Sequence, residues 1–370
     1  MLLPDPSPPL RATLLAGPNR ALRGPIVEQL IADLSPQLVT VLSFDHERCT
    51  IERNSRVHFR RAESKRIKIT QSGLVVPFRA DLFIELQAIA RERSSDHVVI
   101  ELDSSDELPT AHDSLVHRFP GGIDLRSIVR LTRSILVMPA NGLFEWFWTD
   151  AAAAEPEDTA DTHSEGGCSQ GHSLSRSIEC ADTVVITDRQ AMDPATLQNA
   201  IRLIRALNPK TTIADQTVKP LTAYSQPMSE DENSNHDDAC ASVARLQLRW
   251  IVADTRGARV RVSVPRPIHP KRFVEFVREG WRGVIRGRGE IRLASQPGTH
   301  RLWSQAGKVG VLGSKNASAS AAWQQDLTLV GPPDACMEAC RNFDASLLSD
   351  EELELGPRLW RSFVDPFKEG

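Results

Sequence analysis

The chain reads as an α/β domain with a mostly parallel sheet, followed by a smaller α+β domain with an antiparallel sheet. Three features predict this. Between residues 10 and 223, short Val/Ile/Leu runs alternate with amphipathic helical stretches. An acidic, small-residue-rich segment then interrupts the pattern, and beyond it polar and apolar residues alternate at a period of two. Near-continuous apolar strands separated by helices indicate a parallel sheet covered on both faces, whereas strict alternation indicates half-exposed strands. The predicted boundaries are 1–224 for the first domain, 225–242 for an acidic linker and 243–370 for the second domain.

Each element has its own signal. Residues 11–16 form an apolar strand, and a helix is expected from Gly24 to Leu34, with Pro25 in a first turn that does not need its missing N–H. Strands follow at 37–44, 97–102, 134–140 and 182–187, and helices at 78–92 and 193–207, where "ATLQNAIRLIRAL" repeats its apolar residues at helical spacing. The segment 149–173 is acidic and nearly free of large apolar groups, so it cannot offset the entropy of ordering and reads as a flexible insertion. In the second domain "VARLQLRWIVA" and "ARVRVSVP" alternate as strands, "HPKRFVEFVREG" enters a helix through proline, and further strands are expected at 289–296, 300–306 and 326–330.

Composition narrows the function classes. The chain has 370 residues, is 41% hydrophobic and carries a net charge of −4, so its overall charge directs it to neither nucleic acid nor membrane. The six cysteines include no CxxC pair, the N-terminus has no basic leader with a long apolar run, and no stretch is long and apolar enough to span a bilayer. A reduced, cytoplasmic protein is expected.

The turn after the first strand is laid out like a phosphate-binding loop. Such a loop reads GxxxxGK[ST]: glycines let backbone N–H groups cradle phosphates, lysine reaches the β/γ-phosphates and a hydroxyl holds Mg²⁺. Counted from Gly17, the last three places hold Leu22, Arg23 and Gly24. The second glycine, the lysine and the hydroxyl are all missing.

Charge is concentrated in the second domain. From Val243 to Lys308 fifteen Lys or Arg stand against four acids, with Trp250, Trp281 and Trp303 interleaved as surfaces on which bases could stack. Strand alternation would place Arg286, Arg288, Glu290 and Arg292 on one exposed face, beside Lys271 and Arg272 on the helix. With Arg266 and Arg282 these form a candidate RNA-binding patch. A second basic run, Arg48 to Lys68, reads as an exposed hairpin. For metal, His163, Cys168 and His172 lie in one acidic segment and His236 and Cys240 in the other, and neither has an evident scaffold. Cys336 and Cys340 stand at helical spacing and read as a half-buried core stripe.

The stretch "RPIHPKRFVEFVREGWRGVIRGRGEIRLASQPGTHRLWSQAG", 266–307, resembles the C-terminal domain of CobW-like proteins, a family of P-loop GTPases that includes zinc metallochaperones. The ending "LLSDEELELGPRLWRSFVDPF" and the segment "IRALNPKTTI" resemble that family's tail and the end of its GTPase domain. The resemblance implies a P-loop NTPase-like first domain, with Gly17, Arg23, Gly24, Glu101 and Asp188 at its degenerate nucleotide site. The family's GCxCC metal motif falls where this chain has Gly73, Val75 and Val76, so zinc is not expected. Its guanine-reading NKxD falls on Thr187, Asp188, Arg189 and Gln190, so at most weak GTP or phosphate binding is expected, with no catalytic residue. Loss of these motifs on an intact scaffold resembles the actinobacterial CobW-like factors that recruit a ribosome hibernation protein when zinc is scarce. That branch implies a pseudo-GTPase with the ribosome, its RNA and a hibernation factor as partners, and neither DNA nor membrane. The alternative the resemblance leaves open is a zinc metallochaperone GTPase with non-standard sites. A structural protein dimerising through the second domain is a third reading.

Overall fold

The computed structural model describes residues 9–35, 37–45, 50–57, 60–68, 76–116, 126, 128–140, 170–215, 240–243, 246–253, 257–306, 309–316 and 323–367. They form two compact units, one holding the first eight strands and the other the remaining seven.

The first unit is built on strands β1 (Leu10–Ala16), β2 (Leu38–Asp45), β3 (Thr50–Val57), β4 (Arg60–Lys68), β5 (His97–Glu101), β6 (Val129–Pro139), β7 (Thr183–Thr187) and β8 (Thr212–Asp215). They form one sheet in the order β4-β3-β2-β5-β1-β6-β7-β8. Pairing is parallel from β2 to β8, and β3 and β4 add an antiparallel hairpin at one edge. Every residue of β5 and β7 is buried, as their unbroken apolar runs require. Helices α1 (Arg20–Leu34), α2 (Val76–Glu92) and α3 (Leu108–Val116) follow β1, β4 and β5. The core brings Ile26, Leu30 and Ile31 of α1 against Leu15, Val41, Val99, Ile135 and Val185 of the sheet. The hairpin lies where the basic run Arg48 to Lys68 was expected to form one, yet Arg53 is 2% exposed and donates to Glu92 Oε2 at 2.6 Å and Ser94 Oγ at 2.8 Å.

Two further helices, α4 (Gln170–Cys180) and α5 (Pro194–Leu207), precede β7 and β8. Helix α1 begins at Arg20, four residues before the expected start. Asn19 in extended backbone caps it, its Oδ1 accepting from Leu22 N at 2.9 Å, and Pro25 falls inside the helix.

The second unit holds β9 (Cys240–Val243), β10 (Leu246–Ala253), β11 (Ala258–Val264), β12 (Arg286–Ile291), β13 (Thr299–Ala306), β14 (Val309–Asn316) and β15 (Gln325–Gly331). All pair antiparallel, in the order β14-β13-β12-β15-β11-β10-β9. Strand β9 begins inside the expected linker, at Cys240. Helices α6 (Pro270–Glu279), α7 (Pro333–Ser346) and α8 (Asp350–Trp360) complete the unit. Its core is aromatic: Trp303 lies 5.4 Å from Trp281 and 5.7 Å from Phe276, ring centre to ring centre, with Phe343 5.5 Å from Phe276. The expectation that Trp281 and Trp303 offer stacking surfaces is therefore corrected, since they are 6% and 2% exposed. Both glycines of "RGRG" are packing residues. A Cβ on Gly287 would come within 2.8 Å of both indoles, and one on Gly289 would overlap the Asp326 carbonyl of β15. Among the described residues no helix is long and apolar enough to cross a membrane.

Candidate functional site

Strand β1 lies between β5 and β6, so the chain crosses over it, and the carboxyl ends of these strands meet at a topological switch point where open α/β sheets take ligands. Here that place is filled from within. Only Gly17, Pro18 and Asn19 separate β1 from α1, and Pro18 has no N–H to offer, so the backbone is too short to encircle a phosphate. Gly17 is nonetheless required: a Cβ there would stand 3.0 Å from Val137 O and 3.2 Å from Arg23 Cγ. Gly24 has no such constraint, with nothing within 4 Å of its Cβ position.

Arg23, one turn into α1, folds back beneath the loop and is 2% exposed. Its Nε donates to Glu101 Oε1 at 3.1 Å, and its Nη1 to the carbonyls of Gly17 at 2.7 Å and Asp103 at 2.9 Å. Nη2 lies 3.6 Å from Asp103 Oδ1. Glu101, at the end of β5 and 4% exposed, accepts from Ser43 Oγ at 2.7 Å through its other oxygen. The charge of Arg23 is thus spent on a buried carboxylate, and its fork closes the turn. Asp188 is exposed at the end of β7, in the left-handed region at φ 56°, and its Oδ2 accepts from Thr187 Oγ1 at 3.3 Å. Gly17, Arg23 and Glu101 come together as expected. Ser43 and Asp103 complete the cluster, and no motif in the sequence marked them.

The cationic patch of the second unit is rearranged more thoroughly. Arg286 is 3% exposed, its Nη1 donating to Ser304 Oγ at 2.9 Å and Gln305 O at 3.1 Å. Arg292 is 1% exposed, with its guanidinium 4.9 Å above Trp323 and Nη2 on Pro297 O at 3.0 Å. It lies past the end of β12, where strand alternation no longer governs direction. Arg288 is half-buried. Arg266 donates to Leu348 O at 2.7 Å and Asp350 at 2.6 Å, and Arg272 grips Glu352 through both nitrogens at 3.1 and 2.6 Å. Lys271 and Arg282 are the members of the set that stay exposed. The expected exposed face of Arg286, Arg288 and Arg292 does not form, because Arg286 and Arg292 turn inward onto carbonyls, a hydroxyl and the Trp323 ring, while the acidic tail takes Arg266 and Arg272.

Glu352 is itself half of a capping box with Ser349. Partial burial pushes its carboxyl pKa up, but the Arg272 hydrogen bonds and the Ser349 N–H outweigh this and hold it below the ordinary carboxylate range. The tail after α8 is tied down similarly. Asp365 accepts from Ser295 Oγ and Gln296 Nε2, and Phe367 O accepts from Arg301 Nη2 at 3.0 Å.

Among the described residues no group of three or more His, Cys, Asp or Glu is placed to hold a metal ion. Cys336 and Cys340 are buried in α7, and burial drives both thiols up to about 12, which makes them inert. His163, Cys168, His236, Gly73 and Val75 lie outside the described residues, and Val76 opens α2.

Residues 258–341 match the family model of the cobalamin synthesis protein cobW C-terminal domain. Over 343 residues the chain is 20% identical to zinc-regulated GTPase metalloprotein activator 1 of Dictyostelium discoideum, covering 82% of this chain and 70% of that protein. Over 219 residues it is 26% identical to the zinc chaperone Rv0106 of Mycobacterium tuberculosis, covering 51% of this chain and about half, 52%, of that relative. Among solved structures, the Zn(II)-bound YjiA GTPase from E. coli aligns over 93% of this chain and 100% of that one, at 12% identity and a TM-score of 0.40. The exclusion of zinc drawn from Gly73, Val75 and Val76 is overturned by these relatives, a zinc-regulated activator and a zinc chaperone: losing one thiolate motif does not remove every donor from a chain. Residues 258–341 match the CobW C-terminal domain, and over most of its length the chain is distantly similar, at 20% identity, to a zinc-regulated GTPase metalloprotein activator.

Proposed function

We propose that this chain handles zinc as cargo, in the manner named for its relatives, and that its β1–α1 turn is an internal lock rather than a lysine-type nucleotide cradle. The match to the zinc-regulated activator, which extends over 82% of the chain, carries the first half of the reading. The four contacts of Arg23 carry the second. The reading takes its donors from the two acidic segments, where His163, Cys168 and His236 carry imidazoles and a thiolate that suit zinc.

Metal-stripped full-length protein, titrated with zinc against a chromophoric chelator, is expected to take up about one equivalent at submicromolar affinity. Alanine at His163, Cys168 and His236 together should weaken uptake by about tenfold or more without moving the melting temperature. Failure of the parent to compete with the chelator overturns the cargo reading. Mg²⁺-dependent GTP hydrolysis is expected at the level of a mock preparation, because Gly24 stands where the Mg²⁺ hydroxyl would be and Gln190 where the guanine-pairing aspartate would be. Turnover that Arg23→Lys changes would show that the turn is a working nucleotide site.

A further inference from the structure

At the amino edge of the sheet, opposite Gly17 and Glu101, lies a cavity of about 1060 Å³ whose lining includes Arg11, Arg91, Arg93 and Arg130. Against these four cations the lining carries one carboxylate, Asp96, which is already accepting from Leu38 N at 2.8 Å. Arg11 and Arg130 are direct partners on the adjacent parallel strands β1 and β6. Like charges so placed destabilise a sheet, and no described side chain neutralises them. Arg11 donates to the neutral amide oxygen of Gln37 at 3.0 Å, and Arg130 and Arg91 make no hydrogen bond or ion pair with a described residue. Arg91 lies in the last turn of α2, where it offsets the negative pole of the helix, and Arg93 just beyond the helix holds a left-handed backbone at φ 49°.

The next strand reports the same field. His97 of β5 is the other partner of Arg11, and burial first, with the Arg11 charge second, pulls its imidazole down to about 4. Two exposed like charges on neighbouring strands, without a compensating carboxylate among the described residues, are the kind of local inconsistency that a bound anion resolves. The rest of the lining is mixed. Ile128 and Leu131 are half-buried apolar walls, and the volume suits a small organic molecule rather than a bare ion.

We propose that this cavity binds an organic polyphosphate, its phosphates held by Arg11 and Arg130 with Arg91, and its organic body against Ile128 and Leu131. The guanidinium fork matches phosphate oxygens in pairs. The site is separate from the β1–α1 turn and independent of the zinc reading. ATP and inorganic tripolyphosphate, without Mg²⁺ and at low salt, are the probes, read by calorimetric titration of the full chain. ATP should bind, tripolyphosphate should bind several-fold more weakly, and Arg91→Gln with Arg130→Gln should weaken both by about tenfold or more. The same double variant should melt at the parent's temperature or above it, because the strand repulsion is relieved. A purely structural role for these arginines would lower the melting temperature instead. Absence of ATP binding in the parent, or a double variant that binds ATP as the parent does, overturns the proposal. Tripolyphosphate binding as tightly as ATP removes the organic half of it.

Discussion

Replacing Arg23 by alanine is expected to destabilise the first unit by about 3–5 kcal/mol, the cost of stranding a buried charge. Glu101, 4% exposed in the native unit, would keep the Ser43 hydroxyl as its described partner, and the carbonyls of Gly17 and Asp103 would lose their shared donor. Arg23→Lys keeps the charge but loses the fork. One ammonium cannot reach Glu101 and both carbonyls with the arginine's geometry, so a smaller loss, of about 1–3 kcal/mol, is expected. Removing both charges as Arg23→Met with Glu101→Leu should recover much of the deficit, since a buried ion pair is seldom better than well-packed apolar groups. Scanning calorimetry of the full chain, with denaturant unfolding followed by far-ultraviolet circular dichroism, measures all three. A loss below about 1 kcal/mol for Arg23→Ala, in the range of an exposed pair, would mean that the cluster opens readily to solvent and that the turn is no lock.

The first unit is also expected to lose about 3 kcal/mol of stability between pH 6.5 and pH 4, through His97. The imidazole is 4% exposed, its Nε2 lies 2.9 Å from Thr13 Oγ1, and its Nδ1 has no hydrogen-bond partner among the described residues. Burial, with the charge of Arg11, lowers its folded pKa from 6.5 to about 4. Between those two values the unfolded chain takes up a proton that the folded unit refuses. The contribution is therefore fully present above pH 6.5 and is lost as the pH falls towards 4. Glu352 acts in the same direction in the second unit but lower on the scale, because its folded pKa is depressed below the ordinary carboxylate value. In His97→Gln the slope of stability against pH over this interval should flatten while the value at pH 8 changes much less. An unchanged slope would assign the acid sensitivity to other groups.

How much of this was legible beforehand depended on the range of the interaction. The parallel strands at 97–102, 134–140 and 182–187 and the helices at 78–92 and 193–207 were readable from periodicity, and the structure places elements at each. Helix α1 was misplaced by a turn because a proline at the first helical position outweighed an asparagine cap that spacing alone does not reveal. Strand β14, in a stretch poor in large apolar residues, carried too weak a pattern to be seen.

For the site, the identity of the residues was visible and their use was not. The chain's order of residues showed that Arg23 stands where a GxxxxGK[ST] pattern counted from Gly17 would have lysine, that Glu101 closes an apolar run and that arginine crowds the region after Val243. Whether each of those charges meets water, a ligand or another side chain was settled by segments far away along the chain. Arg23 finds its carboxylate 78 residues on, and Arg272 finds Glu352 80 residues on. Arg11 and Arg130 meet only because β6 was laid beside β1. Periodicity reports which face of an element a residue occupies, since that depends on local backbone geometry. The partner across that face is a product of strand order and packing, and it alone turns one cation into a lock and leaves another facing an open cavity.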